Sequence, residues 1–220
     1  MRLNNILYVH IPRTGGTHFE KLLGFEDHYL WPEGPGSKTY GFDPETIMGW
    51  HKKLKIMSQH ATYEQMVEHD FIKNPNNHIK VTIVRNPYPR TVSLYKYFGG
   101  RTKWGSFESF LSNLERDPKT GGNGKIHEYF YQPQHGFMTL NGELAIDNII
   151  KFENYEEDMK IFKKKYDLNI DITFNQEMQA RKSEETFKKY YNKANCRKVE
   201  LLYEDDFKML NYEALSHSLS

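Results

Sequence analysis

At 220 residues, with 30 Lys plus Arg against 29 Asp plus Glu and a formal net charge of +1, the chain has the length of one α/β domain. It lacks the charge excess that holds a protein on nucleic acid or on an anionic membrane. One cysteine, Cys196, excludes an intrachain disulfide, and no apolar run approaches the roughly 20 residues that cross a bilayer. A single domain over 1–220, soluble and cytoplasmic, with no membrane span, is the expectation. The aromatic share of 15% suits a core, or an adenine or sugar site.

Residues 1–24 form the first β-loop-α unit. The apolar run Ile6–Ile11 reads as a strand, Pro12-Arg13-Thr14-Gly15-Gly16-Thr17-His18 as a tight loop, and Phe19, Leu22 and Leu23 as one face of a helix. Two glycines let the backbone come close to a ligand, and successive N–H groups ahead of a helix favour an anion, most often a phosphate. The loop is not a Walker A, which needs G-x-x-x-x-G-K-[ST]; here Arg13 precedes the glycine pair and Thr17 follows it. A glycine turn at a strand end accounts for the same residues without a ligand.

The stretch from Gly24 to Lys53 is turn-rich and aromatic, either a substrate-facing loop or an insertion. Leu54–Gln59 reads as a strand and Tyr63–His69 as a helix. A second buried strand, Ile79–Val84, ends at Arg85. Asn86-Pro87 breaks it, and Pro89–Phe98 reads as a helix with Val92, Leu94, Tyr95 and Phe98 in the core. Arg85 at the strand end and Ser93 two turns into the helix make a guanidinium–hydroxyl pair suited to a second phosphate. The alternative is a surface Arg beside a turn and a Ser bonded to its own backbone. Phe107–Leu114 has helical spacing, Asp117–Lys125 is a turn, Ile146–Phe152 a strand, Asn154–Lys165 a helix, and Glu184–Tyr203 helical. Alternating strands and helices imply a parallel sheet with ligands at the strands' C-terminal ends.

Together HIPRTGGT and VRNPYPRTVSLY resemble two elements of the sulfotransferases that use 3′-phosphoadenosine 5′-phosphosulfate (PAPS). The first is similar to their 5′-phosphosulfate loop, HIPKTGGT, and the second to their 3′-phosphate strand and helix. The resemblance continues through Gln134–Phe162, similar to the family's Q-x-x-F stretch and its later F-E motif, and through Val199–Tyr212, similar to its terminal Y-x-x-D-F. It points to the branch holding heparan sulfate 2-O-sulfotransferase and bacterial carbohydrate sulfotransferases.

The resemblance implies a P-loop NTPase-like three-layer fold, with a central parallel β-sheet flanked by helices. It also implies in-line transfer of the sulfuryl group of PAPS to an acceptor hydroxyl, expected on a glycan, with PAP released and no metal. The resemblance places the donor on Arg13, Thr14, Gly15, Gly16, Thr17, His18, Arg85 and Ser93. Arg181 and Lys182 fall where the family closes a basic loop over the 3′-phosphate, although the motif preceding that loop is eroded to Asn175-Gln176-Glu177; a solvated surface pair is the other reading. Arg13 stands where the family has Lys. It keeps the positive charge but not the proton-donating role.

His60, in MSQHATYEQM, is the candidate base, because a neutral imidazole can take a hydroxyl proton. A His capping the helix near Thr62, or bonded in the core, is the alternative. His51 and His10 are second choices, and His10 more simply orients the loop. Glu153 reads as a structural hydrogen-bond partner, and Cys196 carries no chemistry. Lys52, Lys53, Lys55, Arg101 and Lys103 offer a local basic patch for an acidic acceptor. Two other functions fit fewer of these residues: a P-loop kinase-like phosphotransferase, and a non-catalytic PAP- or PAPS-binding protein.

Overall fold

Two strands open the chain. β1 (Arg2–Leu3) pairs antiparallel with β2 (Ile6–Val9), and all four residues of β2 are buried. A run covered on both faces is what an inner strand of an α/β sheet requires. The computed structural model describes residues 2–3, 5–23, 47, 49–51, 56–116, 128–170 and 185–217. It divides into two compact units, Met1–Val84 with Gly136–Asn175, and Arg85–His135 with Gln176–Ser220.

The first unit holds a mixed sheet. β2 leads through a loop into α1 (Gly16–Leu22). A separate antiparallel pair, β3 (Trp50–His51) and β4 (Ile56–Met57), precedes α2 (Tyr63–Glu68) and the central strand β5 (Ile79–Val84). The sheet order is β1-β2-β5, then the last strand Asn148–Lys151. β2, β5 and that last strand run parallel, with Val9 opposite Thr82 and Thr82 opposite Ile149. The Thr82 hydroxyl donates to the Val9 carbonyl at 2.7 Å, locking the two longest inner strands side by side.

The second unit is helical. It contains α3 (Pro87–Tyr97), α4 (Gly100–Trp104), α5 (Phe107–Arg116) and α6 (Glu128–Tyr131). α7 (His135–Met138) carries the chain back to the first unit, where a hairpin of β6 (Thr139–Leu140) and β7 (Glu143–Leu144) leads to β8 (Asn148–Lys151) and α8 (Tyr155–Lys165). α8 has Glu156, Glu157 and Asp158 in its first turn and Lys163, Lys164 and Lys165 in its last, the arrangement the helix dipole favours. Asp158 also accepts from the Lys151 backbone N–H at 2.7 Å, fastening the end of β8.

The chain ends with α9 (Glu185–Lys188), α10 (Lys193–Leu202) and α11 (Glu204–Leu210). The core of the second unit packs Tyr88, Tyr95, Trp104, Phe107, Phe110 and Phe187 among its buried residues. The high aromatic content is therefore core here. Cys196 is buried in the same cluster, and burial pushes its thiol up to about 11, away from the reactive thiolate form.

Three sequence expectations shift. Of the expected Leu54–Gln59 strand, the described residues form β4, outside the parallel sheet, and Ser58–His60 is a 3-10 turn. Both the Ser58 backbone N–H and its hydroxyl donate to the Gly49 carbonyl at 2.8 Å, one residue past the Trp50–Met57 pair of that ladder. The Pro89–Phe98 helix begins two residues earlier, at Pro87. Asn86 caps it by accepting from the Tyr88 N–H at 3.0 Å, and a proline in the first turn loses no donor that was needed. The Glu184–Tyr203 helix is broken, because Asn192 takes an extended backbone and accepts from the Asn195 N–H at 2.8 Å, starting α10 anew.

Candidate active site

The chain leaves β2 at Val9 and reaches α1 through His10–Gly15. Arg13 has φ +68° and Gly15 has φ +93°. The left-handed region is open to Gly15 at no cost, whereas Arg13 pays about 1 kcal/mol or more for a Cβ there. The Thr14 hydroxyl, wholly buried, donates back to the Ile11 carbonyl at 2.8 Å. Thr14 thus closes the loop from inside, and the part of it that can meet a ligand is its backbone. Thr17 is exposed, and His18 and Arg13 are half-buried. The His18 ring stands edge-on to Tyr155, centroids 5.9 Å apart.

Gly16 has a reason of its own. A Cβ there would fall 2.1 Å from the Tyr8 hydroxyl and 2.6 Å from the His10 ring. Both rings rise from the end of β2 and press on the first turn of α1. The His10 ring lies against Glu20, a fully buried carboxylate paired with its Nδ1. Sequence reasoning left Glu20 unremarked. The signal was present, since Gly16, Phe19, Glu20 and Leu23 fall on the buried face of the helix.

His60 lies in this same unit. Its Nδ1 is 3.2 Å from the His10 carbonyl. A carbonyl only accepts, so Nδ1 carries the proton and the basic lone pair is on Nε2. The His60 and His10 rings meet edge-on at 4.6 Å. Burial, with His10 beside it and the Arg13 charge adding to the effect, holds the imidazole well below the ordinary 6.5. The helix-capping alternative does not apply. Thr62 is the cap of α2, its hydroxyl accepting from the Gln65 N–H while Gln65 accepts from the Thr62 N–H. Of the second choices, His10 supports the loop, and the His51 ring packs on Phe71, centroids 4.9 Å apart.

In the second unit, Arg85 follows the last residue of β5 and is 9% exposed. Its backbone N–H donates to Gln134 Oε1 at 2.9 Å, and Gln134 Nε2 donates to its carbonyl at 2.8 Å. Ser93 is a half-buried residue of α3. Asp206, wholly buried, accepts from the backbone N–H groups of Gln134 and His135, each at 2.8 Å. The hydrogen bond from His135 to Asp206 holds that imidazole above its ordinary value. Arg181, Lys182, Lys52, Lys53 and Lys55, and most of the 24–53 stretch, lie outside the described residues. Glu153 sits in the 3-10 turn Phe152–Asn154 after β8. Among the described residues, no group of three or more His, Cys, Asp or Glu could hold a metal ion, and no helix is long and apolar enough to cross a membrane.

The family model described as the sulfotransferase family matches residues 2–213, and the chain belongs to that family. No curated protein and no solved structure matches it. Its activity is therefore sulfuryl transfer, and the family implies PAPS as donor and a hydroxyl-bearing acceptor.

The contact at Gly16 yields a prediction. Gly16→Ala should lower stability by about 1–3 kcal/mol through overpacking, read as a lower midpoint of thermal unfolding. Adding Tyr8→Phe should recover part of the loss, since it removes the nearest atom.

Proposed function

We propose that this protein moves the sulfuryl group of PAPS in line to a carbohydrate hydroxyl, with the 5′-phosphosulfate end on the loop from Arg13 to His18 and with Arg85 and Ser93 on the 3′-phosphate. The observation that carries the reading is His60. Its Nδ1–H is committed to the His10 carbonyl, which leaves a neutral imidazole with its lone pair on Nε2, in the unit that also carries the glycine loop. His60 takes the acceptor's proton as the acceptor oxygen bonds to sulfur and the bond from sulfur to the 5′-phosphate breaks. Arg13 meets the charge that gathers on the departing phosphate, where fixed electrostatics carry most of such a reaction.

The residues fit the donor on physical grounds. Arg13 is held in a left-handed conformation that a chain keeps only when its surroundings determine it. Successive backbone N–H groups of the loop precede α1, a strand-loop-helix arrangement in keeping with a P-loop NTPase-like fold. Arg181 and Lys182 complete the donor set by resemblance. The two units act as one sulfotransferase domain over 1–220, in keeping with a family match that runs through both. The glycan acceptor rests on the likeness to the carbohydrate branch. Arg101 and Lys103 of α4 are exposed and open to an acidic acceptor.

Calorimetric titration with PAP in EDTA tests the reading. Micromolar binding that Arg85→Ala abolishes is the expected result. No binding, or tighter magnesium-dependent binding of ATP, would put a kinase-like function in its place.

The pH dependence follows from the direction of the His60 shift. A proton on Nε2 ends base catalysis, so kcat is lost as pH falls through the His60 pKa. That pKa lies well below 6.5, and the profile should be flat at and above neutral pH with an acid limb below 6.5. His60→Ala should lower kcat by about 10²–10⁴ and remove that limb. An unchanged limb in the variant would assign the base elsewhere.

A further inference from the structure

Gln134 and Asp206 belong to the two downstream motifs that no step above uses, and both are wholly buried. The Gln134 amide meets the Arg85 peptide in both directions, accepting its N–H at 2.9 Å and donating to its carbonyl at 2.8 Å. This is a ladder rung made by a side chain, one residue past the end of β5. It fixes the backbone of Arg85 immediately after the Val84–Lys151 pair of the sheet.

A glutamine amide has two ends, and only one orientation works here. Asp206 selects it. Gln134 Nε2 also lies 3.3 Å from Asp206 Oδ2, and the reversed amide would set its oxygen against a buried carboxylate. Asp206 in turn accepts the backbone N–H groups of Gln134 and His135. The segment leading to Gln134 is held by two further groups. Arg90, wholly buried, donates to the carbonyls of Phe130 and Gln132 at 3.1 Å, and the Tyr203 hydroxyl donates to the Tyr131 carbonyl at 2.9 Å.

We infer that Gln134, oriented by Asp206, is a positioning residue for donor recognition: it holds the Arg85 backbone so that the guanidinium is set for the 3′-phosphate. This rests on the reading of Arg85 above. Neither Gln134 nor Asp206 touches the donor in this account. Both act through Arg85, so their loss should be felt by a ligand only if it carries a 3′-phosphate.

The test is titration of the full chain in EDTA with PAP and with AMP, which differ only in that phosphate. The chains are wild type, Arg85→Ala, Gln134→Met, Asp206→Asn and the double variant Arg85→Ala/Gln134→Met. Methionine keeps the volume of glutamine and loses its hydrogen bonds. Gln134→Met should weaken PAP about tenfold or more, the scale of a disturbed charge-assisted contact, and AMP by less than about twofold. The double variant should bind PAP no more weakly than Arg85→Ala alone, since Gln134 works only through Arg85.

Equal weakening of PAP and AMP, no weakening of either, or an additive double variant would overturn the proposal. If Gln134→Met does not fold, Asp206→Asn decides by the same PAP-to-AMP ratio. Failure of both to fold would overturn it too, because the pair would then serve folding rather than position. If wild type does not bind PAP, or Arg85→Ala leaves the ratio unchanged, the reading of Arg85 itself fails and the proposal falls with it. If Arg85→Ala changes the ratio and neither Gln134→Met nor Asp206→Asn does, only the proposal fails.

Discussion

A carboxylate taken out of water needs a polar or charged partner, and three such groups set the geometry of this chain. Glu20 and Asp206 are wholly buried and Glu200 is 7% exposed. Each fastens something that the sequence leaves far away or loosely held. Glu20 lies against Nδ1 of His10, whose ring presses on Gly16. Asp206 gathers Gln134 and His135 from across 72 and 71 residues. Glu200 accepts the Tyr88 hydroxyl at 2.5 Å and both the N–H and hydroxyl of Ser216, tying α3 and α10 to the chain's last described turn. Removing any of them would leave its partners with unmatched polar groups, the costlier error in a protein interior.

The residues of the proposed site hang on these ties rather than on one another. His10 has two jobs through two different atoms. Its ring, braced by Glu20, supports the first turn of α1, and its carbonyl fixes the tautomer of His60. The loop's left-handed Arg13 and inward-bonded Thr14 follow from the same tight turn. The proposed base, His60, gains from this setting, since burial and the nearby Arg13 charge both oppose its protonation. Arg85 is treated similarly in the second unit, where a side-chain amide holds both its backbone N–H and its carbonyl.

Much of this architecture was legible in the sequence. Ile6–Val9 and Ile79–Val84 are short apolar runs ended by turn residues, and they are the inner strands. The TGGT loop and the charge-graded 154–165 helix announced themselves in the same way. The ordered motifs identified the family, and the family match spans them.

What failed was local in origin. Ser58 leaves its strand for a 3-10 turn, and Asn192 restarts a helix that propensity alone would continue. The buried acids were missed for a different reason. Glu20 and Asp206 look like solvated charges until their partners are known. Only their position on an apolar stripe, Asp206 between Tyr203 and Leu210 and beside Phe207, hinted that they turn inward.

The central claim is that the loop after β2 and the residues after β5 serve one donor. Amide hydrogen exchange of the intact chain, with and without saturating PAP in EDTA, tests it most directly. The account predicts slower exchange both in residues 12–18 and in residues 85–93 when PAP is bound. Protection confined to one of these segments, or to neither while PAP is demonstrably bound, would contradict it.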